Sequence, residues 1–265
     1  MTGEGLSALK RHLSEVKSAL LAYSGGVDST LLASVAHEVL GDRLLAATAR
    51  GSIYPSREIR RAAEMAAKIG LRHRFVDVDP LGTDGVRGNP PDRCYHCKWT
   101  IFSRLREIAA AEGLDAVLDG QNADDAGDYR PGARAAAELG VISPLRDAGL
   151  TKTEIRDISR RLDLDTWEDP ALACLATRVP YGRELTPELL ARIDAAEDAL
   201  IAAGFRQVRV RDLATGARIE VPLDDVPRLS GGLLESLTVQ LKELGYASVE
   251  VDPRGYRSGS MDEAL

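Results

Sequence analysis

Apolar residues at Leu6, Leu9, Leu13 and Val16 fall at helical spacing, and the short apolar run over 18–23 that follows predicts a buried strand. Six residues of turn chemistry, Ser24-Gly25-Gly26-Val27-Asp28-Ser29, lead into an apolar-faced stretch over 30–40 that ends at Gly41, the pattern of a helix with glycine just past its C-terminus. Further strands are predicted over 44–49, 72–78 and 116–118, and helices over 56–69, stopped by Gly70, and over 98–112. Strands alternating with helices predict a parallel sheet covered on both faces, with ligands at the carboxyl ends of its strands. The pattern changes near Trp167-Glu-Asp-Pro170. Beyond it come a helix over 186–204 begun by Thr-Pro-Glu, strands over 207–211 and 217–221, a helix over 232–244 and a strand over 248–251. This reads as a smaller α+β domain, so the expected organisation is 1–166 and 167–265. The alanine-rich stretch 133–137 reads as a helix by propensity alone.

The 265 residues, 44% hydrophobic and 28% charged, exclude a disordered polypeptide. Lys and Arg number 34 against 41 Asp and Glu, and the net charge of −7 excludes a chain-wide positive field for a nucleic-acid backbone, leaving room only for a local basic groove. No run approaches the roughly 18 apolar residues of a membrane span, and the first ten residues lack a signal-peptide pattern. The expected compartment is the cytoplasm. An odd count of three cysteines there argues against a disulfide framework and turns attention to metal or catalytic use.

The segment Ser24 to Ser29 sits where a strand hands over to a helix, so its amide N–H groups and the helix N-terminus converge on a point that attracts anions. Gly25 and Gly26 let the backbone approach a phosphate closely, and the hydroxyls of Ser24 and Ser29 add donors. Asp28 cannot favour bare phosphate, so a magnesium ion bridging it to a nucleotide is the natural reading. The segment lacks the Gly-Lys-Ser/Thr ending of a γ-phosphate-cleaving P-loop. It resembles the PP-loop of ATP pyrophosphatases, which implies ATP as cosubstrate and an adenine nucleotide alpha hydrolase-like α/β fold. Asp119-Gly-Gln-Asn122-Ala-Asp124-Asp125 falls at another carboxyl edge. Its side chains are candidates for placing magnesium or the adenylate, against the alternative of a polar turn.

Cys94-Tyr-His-Cys97 precedes the helix predicted from Lys98, and Cys174 lies 77 residues beyond Cys97. Two thiolates at that spacing chelate a soft metal, and a third completes a three-cysteine site. A 4Fe-4S cluster on three thiolates leaves one iron free for an extra sulfide. Zinc completed by His96 or His73, a redox dithiol at Cys94 and Cys97, and three unrelated thiols stand as alternatives.

Taken together, the PP-loop, Pro91-Asp-Arg-Cys-Tyr-His-Cys-Lys98, Asn122-Ala-Asp-Asp125, Tyr129-Arg-Pro-Gly132, Ser143-Pro-Leu145 and Ala173-Cys-Leu-Ala-Thr-Arg-Val-Pro-Tyr-Gly182 resemble the LarE family, the sulfur transferases of nickel-pincer nucleotide synthesis, from about Leu6 to about Val251. The resemblance implies adenylation of a carboxylate of pyridinium-3,5-biscarboxylate mononucleotide and its conversion to a thiocarboxylate, with release of pyrophosphate and AMP. It implies ATP, Mg2+ and, on Cys94, Cys97 and Cys174, a 4Fe-4S cluster; sacrifice of the Cys174 sulfur is the alternative within the family. Cys174, Asp28 and Arg178 are the implied catalytic residues. Ser24, Gly25, Gly26, Val27, Asp28, Ser29, Asn122, Asp124 and Asp125 would hold the nucleotide, and Arg178, Arg209 and Arg211 the substrate phosphate. Glu197 and Glu220 are candidates for a metal or subunit interface, with solvated surface charge as the plainer reading, and the family implies a homo-oligomer, possibly a hexamer. The physiological sulfide donor is not legible. Rival classes are a tRNA thiolase, which needs a cationic track this acidic chain lacks, an amidating ligase, which leaves the cysteines without a purpose, and a nucleotide sensor without turnover.

Overall fold

The computed structural model describes residues 2–127, 131–213 and 216–257. Tyr129 and Arg130 of the family-like motif lie outside them. The chain divides into two compact units, one of Met1–Val86 and Asp92–Leu172, the other of Arg87–Pro91 and Ala173–Leu265.

In the first unit, β1 (Ala19–Ala22), β2 (Leu44–Arg50), β3 (His73–Asp77) and β4 (Ala116–Leu118) form a wholly parallel sheet in the order β3-β2-β1-β4. β1 is central, with Leu20 opposite both Leu45 and Val117. Its sequence, Ala-Leu-Leu-Ala, is apolar throughout because both faces are covered. Ala19 and Leu21 join Leu9 and Leu13 of α1 (Thr2–Ser14), Leu31 and Val35 of α2 (Val27–Leu40), and Met65 of α3 (Ser56–Ile69) in one core. Leu20 points the other way, into a core with Phe102 and Leu105 of α5 (Arg93–Ala111) and Ala136 of α6 (Pro131–Glu138). A short α4 (Asp84–Arg87) precedes α5.

Three helices lie outside the periodicity-based expectation, α4, α7 (Pro144–Asp147) and α8 (Lys152–Arg161). Two helices also begin earlier than expected. α2 starts at Val27 and so absorbs half of the glycine loop, while α5 starts at Arg93 and takes Cys94 and Cys97 into its first turns. The first unit runs to Leu172, past the expected limit at 166, because α8 holds the turn over 165–168. Arg156 donates to the carbonyls of Trp167 and, at 2.7 Å, Asp169, while Arg61 pairs with the Asp169 carboxylate at 2.7 Å.

The second unit pairs β5 (Arg209–Asp212) antiparallel to β6 (Gly216–Glu220) and β6 parallel to β7 (Ser248–Val251). Ala196 and Leu200 of α9 (Pro187–Ala202) and Leu237 and Leu241 of α10 (Gly231–Glu243) pack with Val210 and Ile219 to make its core. The short segment 87–91 belongs here because the buried Asn89 side chain donates to the carbonyls of Val179 and Pro180 at 3.2 and 2.8 Å. Among the described residues no helix is long and apolar enough to cross a membrane.

Leu21→Ala empties a fully buried position in the central strand and should lower the unfolding free energy by about 2–5 kcal/mol, read by urea denaturation.

Candidate active site

The loop between β1 and α2 carries the first part of the site. Gly25 has φ +74°, and a Cβ there would lie 2.7 Å from the Ala62 backbone of α3, so both conformation and space require glycine. The Ser24 and Ser29 hydroxyls lie 2.9 Å apart, and Ser29 Oγ donates to the Gly26 carbonyl at 3.1 Å. Gly26 caps α2 without a side chain, so the helix's first N–H groups keep their positive end for a ligand. Gly120, just after β4, comes close enough that a Cβ would sit 3.2 Å from the Ser29 nitrogen. The two expected nucleotide segments therefore lie against each other at the carboxyl edge of the sheet.

Their side chains close into a ring. Asn122 Nδ2 donates to Asp28 Oδ1 at 3.2 Å, the Asp124 amide donates to Asn122 Oδ1 at 3.0 Å, and the Lys152 amide donates to Asp124 Oδ2 at 2.8 Å. The Lys152 ammonium completes the ring on Asp28 Oδ2. Asp125 turns back to accept from the Asn122 amide at 3.0 Å. Lys152 is the residue that hydrophobic periodicity overlooks. Its signal is the Thr151-Lys-Thr-Glu154 capping box, which is formed and fixes the first turn of α8.

Beside Ser24, at the ends of β1 and β2, a cavity of about 130 Å³ is lined by Tyr23, Ala49, Tyr54, Lys98 and Phe102 among others. Its apolar and aromatic walls suit a flat heterocycle. In its wall, Thr48 Oγ1 donates to the Tyr23 carbonyl at 2.8 Å and lies 2.8 Å from His73 Nε2. A hydroxyl has one proton, so with the Thr48 proton on the Tyr23 carbonyl the His73 Nε2–H donates to Thr48 Oγ1. Burial also holds its pKa below the ordinary histidine value. This hydrogen bond occupies Nε2 and leaves that nitrogen unsuited to the zinc role considered from sequence.

Cys94 and Cys97 sit three residues apart on α5, the first exposed and the second half-buried against the Phe102 core. His96 lies 3.4 Å from Asp92, and the Tyr95 hydroxyl donates to Glu138 at 2.6 Å with the Arg134 guanidinium 4.1 Å over its ring. Among the described residues, no three His, Cys, Asp or Glu side chains are gathered as a metal-holding group.

In the second unit Cys174 opens the 3₁₀ turn Leu175–Arg178. Its carbonyl accepts from Thr177 Oγ1 at 2.9 Å and from Arg178 Nη1 at 3.0 Å. Arg178 is completely buried and grips Glu197 with Nε and Nη2 at 2.8 and 2.9 Å, while Glu197 Oε1 also accepts from the Val210 amide at 3.0 Å. Arg211 donates to the Thr177 carbonyl at 2.8 Å and to Glu220 at 2.7 Å. Arg209 donates to the Val208 carbonyl at 2.8 Å, stands over the Tyr256 ring at 5.3 Å and faces Glu220 across the β5–β6 ladder. From sequence, Arg178 is expected on a substrate phosphate, and surface charge is the plain account of both glutamates. The structure instead pairs these acids with arginines, because a charge folded inside needs a partner. Arg178, with no exposed surface, fixes the backbone of Cys174.

Arg178→Met leaves Glu197 buried without its cation and should cost about 3–5 kcal/mol in a denaturant titration. Because the folded pKa of His73 is depressed, the unfolded chain binds that proton more readily. Its contribution to stability is present above pH about 6.5 and declines as pH falls below it. His73→Phe should flatten the fall in unfolding free energy between about pH 7 and pH 5, measured by urea denaturation across that range.

Comparisons with known proteins complete the picture of the site. A family model described as asparagine synthase matches residues 6–126, the stretch that holds the glycine loop and Asn122 to Asp125. The chain is 40% identical over 261 residues to an uncharacterized protein of Synechocystis, covering 98% of this chain and 97% of that one. It is 37% identical over 256 residues to the pyridinium-3,5-bisthiocarboxylic acid mononucleotide synthase of Lactiplantibacillus plantarum, covering 96% of this chain and 92% of that protein. A glutamine-hydrolyzing GMP synthase component of Thermoplasma acidophilum is 30% identical over 210 residues, 71% of this chain and 66% of that one.

Proposed function

The chain belongs to the LarE family, the ATP-dependent sulfur transferases of nickel-pincer nucleotide synthesis, and on that premise we propose that it adenylates a carboxylate of pyridinium-3,5-biscarboxylate mononucleotide and replaces the activated oxygen with sulfur. The observation that carries this reading is the Ser24–Ser29 anion cradle with Asp28 beside it and an apolar cavity adjoining Ser24. The adenine side of ATP suits the cavity, and its phosphates suit the loop and the N-terminus of α2. Asp28, linked through Asn122 to Asp124, would hold Mg2+, and the cation when bound would offset the negative charge of the phosphates.

A carboxylate is a poor acceptor for sulfur because its oxygen is a poor leaving group. Its oxygen attacks the α-phosphorus of ATP, the bond to the β-phosphate bridging oxygen breaks, and pyrophosphate leaves with the electron pair. A sulfur nucleophile then adds to the acyl carbon and AMP departs with the former carboxyl oxygen. The cradle's N–H groups stabilise the charge that builds on the departing pyrophosphate.

Sulfur delivery falls to the three cysteines, all free thiols. The proposed carrier is a 4Fe-4S cluster on Cys94, Cys97 and Cys174, and this part rests on the donor set, since three thiols match such a cluster in chemistry while no gathered group of three ligands is present among the described residues. Direct donation from Cys174 is the second reading, favoured by the anchoring of the Cys174 carbonyl through Thr177 and Arg178. Arg209 and Arg211 remain the proposed contacts of the substrate phosphate, with Glu220 the charge partner of Arg211 and Glu197 that of Arg178, and assembly as a cytoplasmic homo-oligomer, a hexamer by resemblance, belongs to the same proposal.

Full-length protein with ATP and Mg2+ should release pyrophosphate only when the biscarboxylate mononucleotide is added, and Asp28→Asn should reduce that rate by about 100-fold or more, read by a pyrophosphate assay. Pyrophosphate release indifferent to the carboxylate would refute the reading. For the sulfur source, anaerobically purified protein should contain iron and acid-labile sulfide that Cys94→Ala loses. No iron, with turnover leaving dehydroalanine at position 174 by intact mass, would replace the cluster with donation from Cys174.

A further inference from the structure

Gly26 has φ −77° and ψ 170°, an ordinary extended conformation open to any residue, so the backbone does not require glycine there. Space does. A Cβ on Gly26 would lie 3.0 Å from Leu172 Cδ1 and 3.4 Å from Leu172 Cγ, inside the separation at which carbon atoms pack without strain. The Leu172 side chain therefore rests on the Ser24–Ser29 loop, in the place that a side chain of the loop itself would take.

Leu172 ends a strap that polar ties hold down within the first unit. Arg156 of α8 donates to the carbonyls of Trp167 and Asp169, and Arg61 of α3 meets the Asp169 carboxylate with Nε at 2.9 Å and Nη2 at 2.7 Å. Lys68 meets Asp165 at 2.6 Å, and the Arg160 guanidinium stands 5.0 Å over the Trp167 ring. Arg61 adjoins Ala62, the residue that Gly25 approaches, so strap and loop share α3 as their support. Burial does not account for the leucine, which keeps 39% of its surface exposed. Its position puts hydrocarbon on the rim of a polar cradle, where water would otherwise stand.

We propose that Leu172 is a water-excluding residue of the site, shielding the acyl adenylate from hydrolysis so that sulfur, and not water, takes the activated carbon. The inference rests on the adenylation reading given above. The acyl carbon of that intermediate is joined to the α-phosphorus through one oxygen, so a side chain seated on the phosphate loop is within reach of it. Water is the competing nucleophile. Its oxygen adds to the acyl carbon, the bond from that carbon to the bridging oxygen breaks, AMP leaves with the electron pair, and two protons pass to solvent. The carboxylate is restored and ATP is consumed without product. An apolar side chain opposes this step because it offers the attacking water no hydrogen bond.

The test follows oxygen from the solvent. Full-length wild type, Leu172→Ala, Leu172→Met and a control, Leu162→Ala, whose side chain is exposed just past α8, are supplied with ATP, Mg2+ and the biscarboxylate mononucleotide in heavy-oxygen water. Label entering the recovered carboxylates is followed by mass spectrometry and pyrophosphate is measured alongside. Leu172→Ala should take up label about fivefold faster than wild type or more, Leu172→Met should stay within about twofold of it, and the control should match it, with melting temperatures alike in all four. A Leu172→Ala protein that melts like wild type and takes up label no more than about twofold faster would overturn the inference while leaving the adenylation reading intact. If wild type releases no pyrophosphate with the carboxylate present, the adenylation reading falls and the inference with it.

Discussion

A parallel strand order with β1 at its centre obliges the loop after β1 and the loop after β4 to meet, and their meeting creates the charge problem that the site is built around. Asp28 lies in the first turn of α2, where a carboxylate favours the helix dipole but opposes phosphate. The protein answers with Asn122, delivered by the end of β4, and Lys152, delivered by the capped start of α8. The Asp124 amide holds Asn122 and the Lys152 amide holds Asp124, so moving any one disturbs the alignment of the others. Gly25 and Gly120 let the loops come this close.

The second unit solves a related problem by different means. Four charged side chains, Arg178, Glu197, Arg211 and Glu220, are folded inside it as two pairs that meet at the Thr177 turn. Buried pairs of this kind give little net stability over an apolar core, yet breaking one is costly, which makes them better at fixing a geometry than at holding a fold. What they fix is the backbone of Cys174. On the reading in which Cys174 donates its own sulfur, that thiol would gain from a rigid base, since misplacement by about an ångström can cost a hundredfold in rate.

Much of this was legible in the chain. The periodicity over 56–69 coincides with α3, and the glycine loop falls between a strand and a helix as its chemistry demands. α8 was not legible by the same rule, because Lys152–Arg161 carries only Ile155 and Ile158 in a run of charges and polar groups, too thin a stripe to register. The capping box was the stronger signal there. Cys94 and Cys97 were expected ahead of their helix since the first turn of α5 is polar. Glu197 shows where reading by residue type misleads. It lies on the stripe of Leu190, Ile193 and Leu200, and an acid on an apolar stripe calls for a buried cation, here Arg178. Which cation answers is a tertiary fact that spacing alone does not give.

The central claim is that ATP is used to turn a carboxyl oxygen into a leaving group that departs with AMP. Substrate carrying a heavy-oxygen label in its carboxylates, turned over with unlabelled ATP and analysed by mass spectrometry, tests it directly. The account predicts one labelled oxygen in AMP for each thiocarboxylate formed and none in pyrophosphate. AMP free of label in the presence of thiocarboxylate product would contradict it.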